Sequence, residues 1–496
     1  MIHALLIALV VITLGSETES LPFFPLMSDL PAGEVVIGTL MPFLVIVVVA
    51  QVLMGLAGRR LDRTGSGRAV RIAERVLVLS RFATVAWHGV AVLVLGWGET
   101  IRQLVPAQVL LDEVIIMAPP LVTLVMGWVA YFPIERRLRD AALIGRIDRG
   151  EPVHPTPGRA TYVMDQVRHQ LGVVLAPVAL IVAWQELAGW GAERWWGTEM
   201  PAAADVILTL VSFAGVVLII GVMPFVLRHL WDTVALGAGE LRDRLMALCR
   251  EQGVGCREVL LWRTHGLMLN GAVIGLIGRL RYILLTDALL ERLTDEQVEA
   301  VMAHEVGHAR FHHLPWLMLA MVESLLLTAT AAWFLLDLPL RWLKVWPDSM
   351  SAREIDGVLS VLTLPPALVV ALFVFGWISR RFERQADAFA VQHLSGRTRE
   401  ARGRRDLQLS EDAVVAMSSA LGAVGHFNHI PLDRFTWRHG SLRGRQRRLH
   451  ELAGVAAHQV PVDRLVRRIK IALTLGAVAL GLLMLDAFLH GGGSAT

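Results

Sequence analysis

A series of long, nearly uncharged apolar runs constrains this chain more than any other feature. They fall at 2–15, 36–57, 82–98, 108–132, 171–190, 205–228, 314–337, 357–378 and 471–489. A run of about 18 or more apolar residues can cross a bilayer as a helix, because a helix satisfies its own backbone polar groups. With 54% hydrophobic and 18% charged residues over 496 positions, composition argues against a string of soluble domains. The first run is short. It lacks a basic leading segment and a clear A-x-A cleavage site, so a retained anchor is expected rather than a signal peptide.

Arginine placement orients the spans. The segments 58–81 and 133–170 each carry seven arginines, whereas 16–35 has four acidic residues and no lysine or arginine. The positive-inside tendency puts the two basic segments in the cytoplasm and 16–35 outside. Continuing the alternation places 229–313 and 379–470 inside and 338–356 outside. The expected organisation is therefore N-terminal transmembrane helices over 1–228, a cytoplasmic segment over 229–313, and a transmembrane hairpin over 314–378. A second cytoplasmic segment follows over 379–470, then a last helix and tail over 471–496. His88, Asp112, Glu113, Glu186 and Glu323 fall inside spans, where an ionisable group normally faces a cavity or another helix. Repeats of the transporter kind are not evident.

A formal charge of +3 gives no global sign of a nucleic-acid partner. Cys249 and Cys256 are too few for a disulfide framework and lack metal-pair spacing, so they read as packing residues in a reducing compartment. The arginine-rich stretch 396–405 reads as a solvated loop, with contact to anionic lipid as the alternative.

Within 229–313, ELRDRLMALCREQG (240–253) has the pattern of an amphipathic helix. EVLLWRT (258–264), LMLNGAVIG (267–275) and RYILLTD (281–287) are short apolar runs between turns and read as strands. Thr294 and Gln297 fit a capping box opening a helix through VEAVMAHEVGHARFHH. On that helix His304 and His308 are i and i+4, hence on one face, with Glu305 beside them. This H-E-x-x-H pattern can hold Zn²⁺ through the two histidines, the glutamate serving as base toward an attacking water. The bland alternative is a solvated histidine pair on a surface helix.

A catalytic zinc needs a third protein ligand. The pattern H-E-x-x-H-x-x-G-x-x-H fails, since Phe311 and Leu314 stand where Gly and His are required. His312 lies one turn beyond His308, and a straight helix cannot wrap three such side chains around one ion. His312 and His313 are read as cations at the helix end, favoured by the dipole. A ligand from another helix is then needed. After the span 357–378, Glu383 and Asp387 are again i and i+4. Glu383 can complete the shell and Asp387 can orient a ligand histidine. Alone the E-x-x-x-D pair is weak, and a solvated charged helix would be favoured. The intervening pair of spans nevertheless returns Glu383 to the side that holds His308.

Together these motifs, with LNGAVIG and the later RHGSLRGRQRRL, resemble the membrane-embedded zinc metalloproteases that include the type I CAAX prenyl protease and the HtpX heat-shock protease. The resemblance covers about 224–450. It implies a predominantly α, multi-span helical integral membrane protein with a zincin-like (gluzincin) metalloprotease core containing a small β-sheet. It also implies one Zn²⁺ per chain on His304, His308 and Glu383, with Glu305 as general base and Asp387 behind the ligands. Asn270 and Gly271 align with a substrate-binding edge strand, though an N-G turn is the equal alternative from sequence. His439 aligns with a residue that stabilises the oxyanion, and Arg445 with a supporting ion-pair partner. Gly440 departs from the family's usual proline, and Gly271 from its commoner alanine.

The expected function is hydrolysis of peptide bonds in membrane-associated or misfolded proteins, in a bacterial-type inner membrane with the site on the cytoplasmic side. The partners are a peptide or membrane-protein substrate and the lipid bilayer. Prenyl-peptide processing, or a non-proteolytic scaffold or transporter with a structural metal, are the alternatives.

Overall fold

The computed structural model describes residues 2–15, 30–105, 109–148, 150, 153, 156–197, 201–266, 268–343, 345–347, 351–396 and 407–491. The chain divides into two compact units, Met1–Trp231 and Asp232–Thr496. Most of the arginine-rich stretch 396–405 lies outside the described residues.

The first unit is helical: α1 (Ile2–Gly15), α2 (Ala32–Thr64), α3 (Gly67–Leu93), α4 (Trp97–Leu104), α5 (Leu111–Asp148), α6 (Arg159–Gln166), α7 (Val173–Trp196) and α8 (Ala202–Leu230). A π-helical turn, Val167–Gly172, joins α6 to α7. The basic segment 58–81, between two expected spans, is almost entirely helix. The chain turns between α2 and α3 at Gly65, which is left-handed (φ 59), and the Ser66 hydroxyl accepts from Arg68 N–H at 3.2 Å to cap α3. Arginine is a good helix former, so a helix leaving the bilayer continues until a residue tolerant of positive φ ends it. His88 is buried, and its Nε2 meets Thr13 Oγ1 at 2.9 Å.

The second unit contains β1 (Thr233–Ala235), α9 (Glu240–Glu251), β2 (Glu258–Trp262), β3 (Gly271–Ile274), β4 (Tyr282–Thr286), α10 (Asp287–Arg292), α11 (Asp295–Arg310), α12 (His313–Ala332), α13 (Leu338–Trp342), α14 (Ala352–Ser395), α15 (Glu411–Phe427), α16 (Leu442–His450) and α17 (Pro461–Gly491). The sheet order is β1-β2-β4-β3, with β2 parallel to β4 and the outer pairs antiparallel. Every residue of β4 is buried, as expected for a central strand covered on both faces. The amphipathic helix and three strands read from the sequence are present, with the run 267–275 reduced to a strand of four residues; the three-residue edge strand β1 is additional. One core joins the sheet to α9, α11, α14 and α15 through Leu245, Val259, Ile283, Val306, Val391 and Met417 among others.

Among the described residues, six helices are long and apolar enough to cross a membrane: 32–64, 67–93, 111–145, 159–196, 204–230 and 313–336. The expected spans 357–378 and 471–489 lie inside α14, of 44 residues, and α17, of 31. The chain is thus a predominantly α, multi-span membrane protein carrying a small mixed sheet.

Candidate metal centre

The centre begins with the capping box. Thr294 Oγ1 accepts from Gln297 N–H at 3.3 Å and Gln297 Oε1 accepts from Thr294 N–H at 3.1 Å, fixing where α11 starts. Such a cap contributes about 1 kcal/mol. Nine residues beyond its start, α11 presents His304 and His308 on one face, toward α14. Gly307 sits where the two helices meet. A Cβ there would lie 3.0 Å from the Phe389 ring and 3.4 Å from Ala386 Cα. With only hydrogen at this position, the α14 backbone approaches closely and brings Glu383, one turn before Ala386, to the histidines.

Three donor atoms converge. His304 Nε2 and His308 Nε2 are 3.2 Å apart; His304 Nε2 is 3.6 Å from Glu383 Oε2, and His308 Nε2 is 3.6 Å from Glu383 Oε1. Tetrahedral zinc with nitrogen and oxygen ligands at 2.0–2.2 Å spaces its donors by about 3.4 Å. These spacings are near that value, one donor atom from each residue lies within 4.8 Å of the other two, and three ligands leave a fourth tetrahedral corner for water. Two nitrogen lone pairs and a carboxylate so close repel one another, and a cation between them reverses the sign of that interaction. The residues therefore suit a metal.

Each donor is backed by a second group. His304 Nδ1 lies 3.0 Å from Asp387 Oδ1, and Asp387 accepts two parallel bonds from Arg445, at 2.6 and 2.9 Å. Arg445 also reaches Glu383 Oε2 at 3.2 Å. His439, on the turn before α16, puts Nδ1 2.8 Å from Glu383 Oε1, and its side chain is 47% exposed. That turn closes through Thr436 and Gly440, whose φ is +78°. Proline, locked near −65°, cannot adopt it, so Gly440 answers a local backbone requirement here.

The charges follow from these contacts. Burial works against ionised Asp387, but Arg445 and His304 outweigh it and hold its pKa down, to about 2. Burial likewise opposes charge on Glu383, yet Arg445, His439 and the two ligand histidines keep it well below the usual carboxylate range. Burial, reinforced by His304, pushes His308 down to about 4, so its lone pair is free. Burial opposes protonation of His304 too, but Asp387 outweighs it and raises the pKa. Glu305 is pushed up by burial, with His304 opposing. Its Oε2 accepts from Val273 N–H at 3.3 Å.

That bond ties Glu305 to β3, which pairs with β4 along one side and turns its other edge to the site. Asn270 precedes β3, with its backbone held to Thr286, whose hydroxyl accepts from Asn270 N–H at 2.9 Å. Asn270 is thus the entry to a strand rather than the corner of a two-residue hairpin. Gly271 opens β3 with its Cα against α11; a Cβ would sit 3.0 Å from Val301 Cγ1. A cavity of about 470 Å³ is lined by Asn270, Gly271, His304, Glu305, His308, Glu383, His439 and Arg445 together. Asp387 lies behind them.

One reading needs correction. α11 does not run through His313; it stops at Arg310, His312 takes a left-handed conformation (φ 54), and α12 starts at His313. His313 is not a cation at a helix C-terminus. It opens the next helix, is 1% exposed, and its Nδ1 lies 2.9 Å from His308 Nδ1. The signal was Pro315, which cannot continue a helix from upstream but is tolerated in a first turn.

Residues 243–453 match the profile described as Peptidase family M48. A "CAAX prenyl protease 1 homolog" of Dictyostelium discoideum is 30% identical over 193 residues, 37% of this chain and 44% of that protein. The homolog of the same name in Arabidopsis thaliana is 24% identical over 197 residues, 39% of this chain and 46% of that one. This chain thus matches less than half the length of these curated relatives. Among solved structures, that of S. mikatae Ste24p is 15% identical, with a TM-score of 0.43, over 85% of this chain and 99% of that one.

Proposed function

We propose, from the match of residues 243–453 to peptidase family M48, that the protein is an integral-membrane zinc endopeptidase. The carrying observation is the His304–His308–Glu383 triangle with the Glu305 carboxylate beside it in one cavity. His304, His308 and Glu383 would hold one zinc, which would supply Lewis acidity toward water and the scissile carbonyl. Glu305, raised by burial toward the range of an effective base, takes a proton from the attacking water and returns it to the leaving amine. His439 supplies a hydrogen-bond donor to the oxyanion that develops on the carbonyl. Asp387 and Arg445 keep His304 and Glu383 in register. The substrate adds as an extended strand along the free edge of β3, entering past Asn270 and Gly271.

The proposed substrates are membrane-associated or misfolded proteins, delivered along a bilayer that the spans occupy. The proposed location is a bacterial-type inner membrane with the centre on the cytoplasmic side. The names of the curated relatives favour a second reading, processing of prenylated peptides. A farnesylated peptide and its unmodified twin, compared as substrates, separate the two.

The decisive experiment pairs metal content with proteolysis. Purified protein should hold about one zinc per chain, and Glu305→Gln should keep that zinc while losing cleavage of a membrane-protein substrate. Cleavage surviving in Glu305→Gln would sink the mechanism.

A further inference from the structure

We propose that His313 is a positioning residue that, through a relay running from Asp463 by way of Gln385, sets the tautomer and ring orientation of His308 at the metal centre. This rests on the metal-binding reading given above.

The argument starts at the far end of the relay, on α17. The Asp463 carboxylate only accepts hydrogen bonds. Gln385 must therefore turn its amide N–H toward it, and Nε2 lies 2.6 Å from Asp463 Oδ1. That choice leaves Gln385 Oε1 facing His313 Nε2 at 3.0 Å. An oxygen there requires a donor, so His313 carries its proton on Nε2. Its Nδ1 is then a lone pair, 2.9 Å from His308 Nδ1, and accepts the proton that His308 bears on that nitrogen. His308 consequently offers an unprotonated Nε2 to the corner it shares with His304 and Glu383. Each link permits one assignment, so a carboxylate on α17 dictates the tautomer of a histidine on α11.

Packing holds the relay rigid. The His313 ring stacks on Phe382, with centroids 4.2 Å apart and planes 8° from parallel. Phe382 and Gln385 flank Glu383 along α14, so one helix carries a ligand and the support for a different ligand. The two histidine ligands are thus backed differently. His304 leans directly on the Asp387 carboxylate. His308 leans on a neutral ring, with the carboxylate two residues further away. Partners of this kind are worth about 10–100-fold in metal affinity.

The test uses full-length protein in detergent, zinc affinity by chelator competition, and the visible spectrum of the cobalt-substituted form. His313→Phe keeps a ring against Phe382 and removes the acceptor. His313→Asn loses the ring but offers an oxygen where Nδ1 stood. The relay predicts about 10–100-fold weaker zinc binding and a shifted cobalt band in His313→Phe, with most of both recovered in His313→Asn. Wild-type affinity in His313→Phe, or equal weakness in both variants, would overturn the relay. If His313→Phe does not fold, Gln385→Met provides the second test. It leaves His313 in place but removes its acceptor, and unchanged zinc affinity there would equally overturn the relay. Wild-type protein that takes up no metal would sink the centre and the relay together. Metal-replete wild type beside an unaffected His313→Phe sinks the relay alone.

Discussion

Replacing Gly307 by valine perturbs the centre without touching a ligand. The Cβ alone would lie 3.0 Å from Phe389 Cδ1 and 3.4 Å from Ala386 Cα. Carbon atoms settle at about 3.5–4.0 Å, so α11 and α14 must part by about half an ångström, and valine's two further methyls add to that. Glu383 moves with α14 while the histidines stay with α11, and separations now at 3.6 Å open accordingly. Ligand distances tolerate about 0.2 Å, so the metal loses a good fit to its third donor. The stability cost is smaller than the binding cost. Overpacking a core costs about 1–3 kcal/mol, and valine recovers a few tenths of this through its better helix propensity than glycine. The expected outcome is a folded protein whose metal-free melting temperature falls by a few degrees, while its zinc affinity falls by an order of magnitude or more. Thermal melts with and without chelator, beside a zinc competition titration, read both quantities. Zinc affinity equal to wild type would refute the view that close approach at Gly307 brings Glu383 to the histidines.

Two further outcomes follow from the buried charges. Arg445→Met removes the group that neutralises Asp387 and Glu383, and breaking a buried pair on one side costs about 3–5 kcal/mol, measurable as a lowered midpoint in denaturant. Arg445→Lys should recover little of it, because a single ammonium cannot reproduce the paired bonds to Asp387, and a loss under about 1 kcal/mol in Arg445→Met would contradict this account. Removing the metal with a chelator should lower the melting temperature of the wild type and leave that of His304→Ala unchanged, since only the former has a triangle to lose.

How much of this was legible in the sequence divides along the range of the interactions. The start of α11, the strands of the sheet and the facing of His304 and His308 are local matters of capping and period. They read directly from Thr294, Gln297 and the apolar patterning. Glu383 was reachable because a membrane hairpin restricts where the chain can return. Arg445 entered only through resemblance, as an ion-pair partner, and its pairing with Asp387, 58 positions away, has no local signature. His313 was misread because the helix was carried to His313 as its end, without weighing Pro315 as the mark of a new first turn. The seven arginines of 58–81 show a related limit: charge locates the membrane boundary, but it does not end a helix.

The charge balance of the centre explains why so many ionisable groups are gathered there. Glu383 and Asp387 are buried, Glu305 lines the same cavity, and Arg445 is the one buried guanidinium in contact with both acids behind the site. Arg445 is the guanidinium bonded to these acids, while Arg281, Arg434 and Arg438 line the same cavity, and a buried carboxylate left without a partner is costly. A divalent cation held by His304, His308 and Glu383 would add to Arg445 in offsetting that charge. Arg445 bonds Glu383 and Asp387 directly and acts on Glu305 only at longer range, so on the proposed mechanism Glu305 is the acid that would take up the proton. The guanidinium therefore divides the acids by role. On the proposed mechanism, those it bonds would orient the metal and Glu305 would move the proton.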